Sequence, residues 1–221
     1  LYEEQLEKIN FQVNIEEIDG IPTDMAQKIV RTDTNQPLGI VKSKYKPINH
    51  KEAFLGALMQ MDKGGVSFKN SEIKIDAYEN GAMAKMEVLL KDHNTKIGEH
   101  DLSLKFIARN SYNGRWKFQS FFGWLNHVCF NTLVTGQKLA YTSNRHTKSF
   151  DISMANNKIS NAIEAVTKET DRFQKWWDTP VEYNAIKDMF TKKTPDGDFT
   201  YQDAIRVYLW DKHGHAIPGI S

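Results

Sequence analysis

The dipeptide Asn-Gly occurs twice in this chain, at Asn80-Gly81 and Asn113-Gly114, each time between runs that alternate apolar and polar residues. Both central residues of a tight hairpin turn need φ > 0, which Asn and Gly tolerate best, so each dipeptide predicts two antiparallel strands folded against each other. The first hairpin joins a strand carrying Ile73, Ile75 and Ala77 to the run Ala82–Leu90. The second joins Leu102, Leu104, Phe106 and Ala108 to Arg115–Trp124. Between the hairpins Lys91–His100 is polar and reads as a loop, giving a meander of about four strands.

Helical signals surround these hairpins. Tyr2–Ile9 reads as a short helix, followed by strand-like runs at Phe11–Ile15, Ala26–Thr32 and Leu38–Tyr45, with turns at Asp19-Gly20-Ile21-Pro22 and Asp33-Thr34-Asn35-Gln36. Asn49 is placed to cap a helix, with Glu52 three residues on, and Phe54, Leu55, Leu58, Met59 and Met61 form its apolar side until Gly64-Gly65. In the last third, Ile152, Ile159, Ile163, Val166, Phe173 and Trp177 recur at helical spacing and predict one long helix ending before Pro180. Shorter helices follow to Phe190 and, from a Thr200 cap, to Lys212. The expected fold class is α+β: an antiparallel sheet of two hairpin-rich sections with a packed helix in residues 1–150, then a helical section over 151–213 that packs on or extends this core. Residues 214–221 read as a disordered tail.

Charge is balanced in total and lopsided in position. The 221 residues carry 29 Lys+Arg against 28 Asp+Glu, a net charge of +1. Residues 101–150 hold seven cations (Lys105, Arg109, Arg115, Lys117, Lys138, Arg145, Lys148) and one acid, Asp101, so this segment is +6 and the remainder −5. The same segment holds ten of the 25 aromatics. Cations interleaved with rings suit single-stranded nucleic acid, where cations meet phosphates and rings stack on any base. Alternation at period two puts Arg109 and Ser111 near Arg115 and Lys117 across the second hairpin, with Tyr112 and Trp116 as stacking rings. Arg145 adds a cation just before the long helix. The plainer reading of these residues is a solvated hairpin face over core aromatics.

A second cluster invites a different chemistry. Cys129, Asn131 and His127 or His146 bring together a thiol, an amide and an imidazole, the ingredients of an activated Cys nucleophile. A Cys among Val and Phe is more often a small buried hydrophobe, so a binding protein is favoured over an enzyme. Phosphate-loop, dinucleotide, GxSxG and HExxH patterns are absent. His213-Gly214-His215 stands alone in the tail, and no metal or other cofactor is expected. The single cysteine excludes an internal disulfide, and no apolar run is long enough to span a bilayer, which points to a cytoplasmic protein with no membrane partner. The start at Leu1 carries no targeting signal, and the missing initiator Met suggests a piece of a longer chain.

Several runs resemble a known family. Leu6–Val13, Val30-Arg31-Thr32-Asp33, Leu38–Val41, Tyr45-Lys46-Pro47 through Phe54, Cys129-Phe130-Asn131-Thr132-Leu133 and Arg145-His146-Thr147 together are similar to the phage- and plasmid-associated family catalogued as domain of unknown function 932. These pieces cover residues 2–166, and the helices beyond Trp177 lie outside them. Gln12 departs from the tryptophan often found before the first Val. The resemblance implies phage or plasmid company, in a bacterial host or phage-infected cell. It tilts the expectation toward strand protection, annealing, recombination or replication support. The expected function is therefore binding of single-stranded nucleic acid without strong sequence preference, possible as a homo-oligomer, through Arg109, Tyr112, Arg115, Trp116, Lys117 and Arg145. The alternatives are a small nucleotide- or nucleic-acid-directed enzyme using Cys129, Asn131 and His146, and a protein that engages a host factor.

Overall fold

The computed structural model describes residues 2–98, 100–126, 132–133, 142–146 and 162–180. Helix α1 (Tyr2–Lys8) leads into β1 (Val13–Glu16), β2 (Gln27–Arg31) and β3 (Pro37–Val41), an antiparallel sheet in the order β1-β2-β3. Helix α2 (His50–Lys63) follows. Its cap is the expected Asn49, whose side chain accepts from the Lys51 and Glu52 amides and so satisfies two of the donors a helix start leaves open.

The second sheet is built from β4 (Glu72–Tyr78), β5 (Met83–Ile97), β6 (His100–Ser111) and β7 (Phe118–Asn126), all antiparallel neighbours in chain order. Two short strands, β8 (Thr132–Leu133) and β9 (Thr142–Asn144), both pair with β7. Period two makes one face of this sheet apolar. Met86, Val88 and Leu90 sit opposite Ala108, Phe106 and Leu104, and Phe122 and Trp124 continue the same rows on β7. All are buried. Phe106 and Phe122 meet as tilted rings 5.0 Å apart. Helix α2 lies against β6 and buries Ala53, Phe54, Ala57, Leu58 and Met61. Each large side chain so buried contributes about 1.5–3 kcal/mol. The fold class is α+β, as the hairpin and cap signals indicate.

The first sheet joins through a second core of Phe11, Ile29, Leu38, Val41, Ala82 and Tyr112. Two glycines allow the approach. A Cβ on Gly39 would sit 2.6 Å from Asn113 Cβ, and one on Gly81 (φ +92) would sit 2.6 Å from the Phe11 ring. Neither position has room for a side chain.

Three expectations are corrected by the strands. Lys91–His100 is not a loop: β5 continues to Ile97 and pairs with the start of β6, with a register shift between Leu90 and Asn94 absorbing the extra residues. The polar run reads as loop because neither of its faces is fully buried, yet the twelve-residue β6 is long enough to supply partners for Asn94–Ile97. In the second hairpin, Arg109 pairs with Gln119, so Arg115 and Lys117 lie in the tip and not across from Arg109 and Ser111. The Ser111 hydroxyl closes this wider tip by donating to the Trp116 carbonyl at 2.8 Å and accepting its amide at 3.1 Å. The third correction concerns Tyr112, a core residue 1% exposed.

The chain divides into two compact units, Leu1–Thr170 and Asp171–Ser221. Helix α3 (Ala162–Trp177) begins in the first and continues into the second, where Arg172 lies over the Trp176 ring at 4.6 Å. The long-helix expectation for 152–161 and those for the helices and tail beyond Pro180 fall outside the described residues.

Candidate functional site

A cleft of about 530 Å³ opens in the first unit where three pieces of chain meet. Lys42, Lys44 and Tyr45 follow β3; Asn113, Gly114, Trp116 and Lys117 come from the β6–β7 tip; Arg145 and His146 follow β9. The alternation that makes β3 a strand carries on past its end. Lys42, Lys44 and Lys46 are exposed, while Tyr45 turns inward. The Tyr45 hydroxyl donates to the Ser111 carbonyl at 2.5 Å, and the Lys46 amide donates to the His146 carbonyl at 3.2 Å. Tyr45 and His146 rings face each other at 5.1 Å. These contacts, with the close seat of Gly39 on Asn113, fasten the three pieces together.

Among the described residues the lining carries four cations, Lys42, Lys44, Lys117 and Arg145, and no Asp or Glu. All four side chains are exposed, and none is ion-paired among the described residues. A concave wall of one sign focuses its field and draws anions. His146 stays neutral beneath them, because burial pushes its imidazole down to about 4. Burial also pushes the Tyr45 phenol well above its ordinary value, so it remains a hydrogen-bond donor and not an anion. Asn113 is engaged at both ends of its amide: it donates to Glu79 at 3.1 Å and accepts the Arg115 amide at 3.0 Å.

The residues picked from sequence separate into those in the cleft and those outside it. Trp116, Lys117, Arg145 and His146 line it. Arg115 is exposed and bound to Glu79, which clasps one Asn-Gly tip to the other. Arg109 stands on β6 with its guanidinium over Trp116 at 5.6 Å and Phe121 at 5.8 Å, and its buried Nε meets no acceptor among the described residues. Tyr112 has no face to offer a ligand, since Phe11 and His50 pack on it at 5.6 and 4.3 Å. Cys129 and Asn131 lie outside the described residues. Lys42 and Lys44 were missed because they lie outside the basic segment, although Lys-x-Lys-x-Lys at strand period was a usable signal. Among the described residues no group of His, Cys, Asp and Glu is arranged to hold a metal ion.

Fold and site together define an α+β protein with a cationic cleft at the meeting of a hairpin tip and a strand exit. A family model described as Domain of unknown function (DUF932) matches residues 37–209, well over half of the chain, and the chain belongs to that family. The match begins at β3, leaving α1, β1 and β2 outside although the sequence resemblance included pieces of them, and it continues past residue 166, where that resemblance ended. Every residue lining the cleft falls within it. No curated protein and no solved structure matches the chain.

Proposed function

We propose that this protein binds single-stranded nucleic acid in the cleft without strong sequence preference, serving a DNA transaction such as strand annealing. The observation that carries the reading is the pairing of four exposed cations, unopposed by any acid among the described lining residues, with the Trp116 ring. Cations take phosphates and the indole takes a base face, a combination that is sequence-tolerant because every base has a π-face. Weak sequence preference also follows from Asn113, whose amide is already engaged and offers little to a base edge. The phage and plasmid setting comes from the sequence resemblance, and the cytoplasmic location from the single cysteine and the lack of a long apolar run. No helix among the described residues is long and apolar enough to cross a membrane.

Relative to the residues chosen from sequence, the reading keeps Trp116, Lys117 and Arg145 and adds Lys42 and Lys44. It gives Arg109 a supporting position beside Trp116, demotes Arg115 and removes Tyr112. Fluorescence anisotropy with single- and double-stranded oligonucleotides of one sequence tests it. Preferential binding of the single strand, lost in a Lys117→Ala/Arg145→Ala variant, is expected. Equal binding by that variant, or no binding of either ligand by the wild type, would sink the proposal.

A further inference from the structure

Resting on that reading, the dimensions of the cleft point to its unit of recognition. A volume of about 530 Å³ falls in the range of roughly 300–1,000 Å³ typical of small-ligand pockets. Its cations divide into two groups from separate parts of the chain, Lys42 with Lys44 after β3 and Lys117 with Arg145 beside β7 and β9. Of the two large aromatic rings in the lining, Tyr45 is tied by its hydroxyl to Ser111 and by its ring to His146. Trp116 is the other, with Arg109 near its ring and Tyr78 edge-on at 5.8 Å to steady it. A track for a run of stacked bases needs a row of rings; among the described residues this cleft has one ring to give.

We infer that the cleft recognises one unpaired nucleotide, its base stacked on Trp116 and its flanking phosphates shared between the Lys42/Lys44 group and the Lys117/Arg145 group. A base pair brings a second base and a second backbone, about twice the bulk, into the same space. Duplex is therefore accepted only where a nucleotide is already unpaired, as at a bulge, a gap or a frayed end, or where unstacking energy is supplied. Tighter engagement of long strands comes from several protein copies along the strand and not from a longer site on each.

The test is a length series. Oligothymidylates of one to about eight nucleotides, phosphorylated at both ends so that the shortest keep flanking phosphates, compete against a labelled strand. Affinity per protein should level off by about three nucleotides, apart from the statistical gain of extra registers, and an abasic centre in the trimer should weaken binding roughly tenfold or more. Trp116→Ala should abolish that abasic penalty, whereas Trp116→Phe, which keeps a ring, should retain it. Affinity that climbs steeply up to the octamer, or an abasic trimer that competes as well as the intact one, would overturn the inference and leave the proposed function standing. Failure of every length to bind would remove both.

Discussion

Two sets of cations sit on this molecule, and their neighbours differ. On the charged face of the larger sheet, Lys85 and Lys105 flank Glu87 at 3.1 and 3.2 Å, and all three side chains are at most 21% exposed. Burial alone would raise the Glu87 carboxyl, but the two lysines outweigh it and hold it below the ordinary carboxylate range. In the cleft, Lys42, Lys44, Lys117 and Arg145 face solvent with no acid among the described lining residues. The first set is consumed in holding strands together; the second is available to a ligand. For the proposed binding, what matters is whether a carboxylate already holds the cation, not the number of lysines and arginines in a segment.

The largest effect on stability should come from breaking the first set. Glu87→Gln leaves two mostly buried lysines side by side without their counter-charge, and should lower unfolding free energy by about 2 kcal/mol or more while nucleic-acid affinity stays put. Denaturant melts paired with anisotropy read both; a variant that loses affinity and not stability would reverse the assignment. Next is Gly39→Ala, which forces its methyl group into Asn113. Overpacking of this kind costs about 1–3 kcal/mol, and because it pushes the strand exit from the hairpin tip it should weaken binding as well. Normal melting and normal affinity would show that the close seat is not what shapes the cleft.

The contrasting variant is Lys117→Ala/Arg145→Ala. Nothing among the described residues pairs with either side chain, so unfolding free energy should change by no more than about 0.5 kcal/mol while affinity falls several-fold. Smallest of all should be Arg115→Ala. The Arg115–Glu79 pair is exposed on both sides, worth about 0–1 kcal/mol to stability, and the guanidinium is not in the cleft lining. If Arg115→Ala weakens binding as much as Lys117→Ala, paired cations contribute after all and the distinction collapses.

A pH scan extends the contrast to the buried imidazoles. His50 and His146 are both pushed by burial to about 4 in the folded chain, against about 6.5 when unfolded. Between these values the unfolded state binds the protons and the folded state does not, so stability is fully present above about 6.5 and drains away as pH falls toward about 4. His50 has a structural role: its Nε2 donates to Gly81 O and its Nδ1 accepts from Asn110, each at 2.9 Å. Melting temperatures should start to fall near pH 6.5, above the range where ordinary carboxylates titrate. A flat profile from pH 7 to 5 would contradict buried neutral histidines.

Local signals carried much of the fold and less of the site. Asn49 announced its helix because capping is decided within three residues, and the alternation of β6 and β7 was visible because one face is core. Lys91–Ile97 was illegible as strand because its pairing depends on the length of β6, a partner further along the chain. The charge split drew attention to the right hairpin and placed Lys117, Arg145 and Trp116 in view. It could not show that Glu79, 36 residues before Arg115, would occupy that guanidinium, or that Lys42 and Lys44 would arrive from β3. Tyr112 looked like a stacking ring because aromatic composition does not distinguish core from surface; only its packing on Phe11 and His50 does.

The central claim is that the unpaired cleft cations, and not the ladder cations, contact a polyanion. Its most direct test is the salt dependence of single-strand binding. Two flanking phosphates, one for each pair of cleft cations, predict a log–log slope of about −1.4 for the wild type, falling to about −0.7 in Lys117→Ala/Arg145→Ala and unchanged in Lys85→Ala, at about 0.7 per phosphate. An unaltered slope in the double variant, or one that drops in Lys85→Ala instead, would contradict the account.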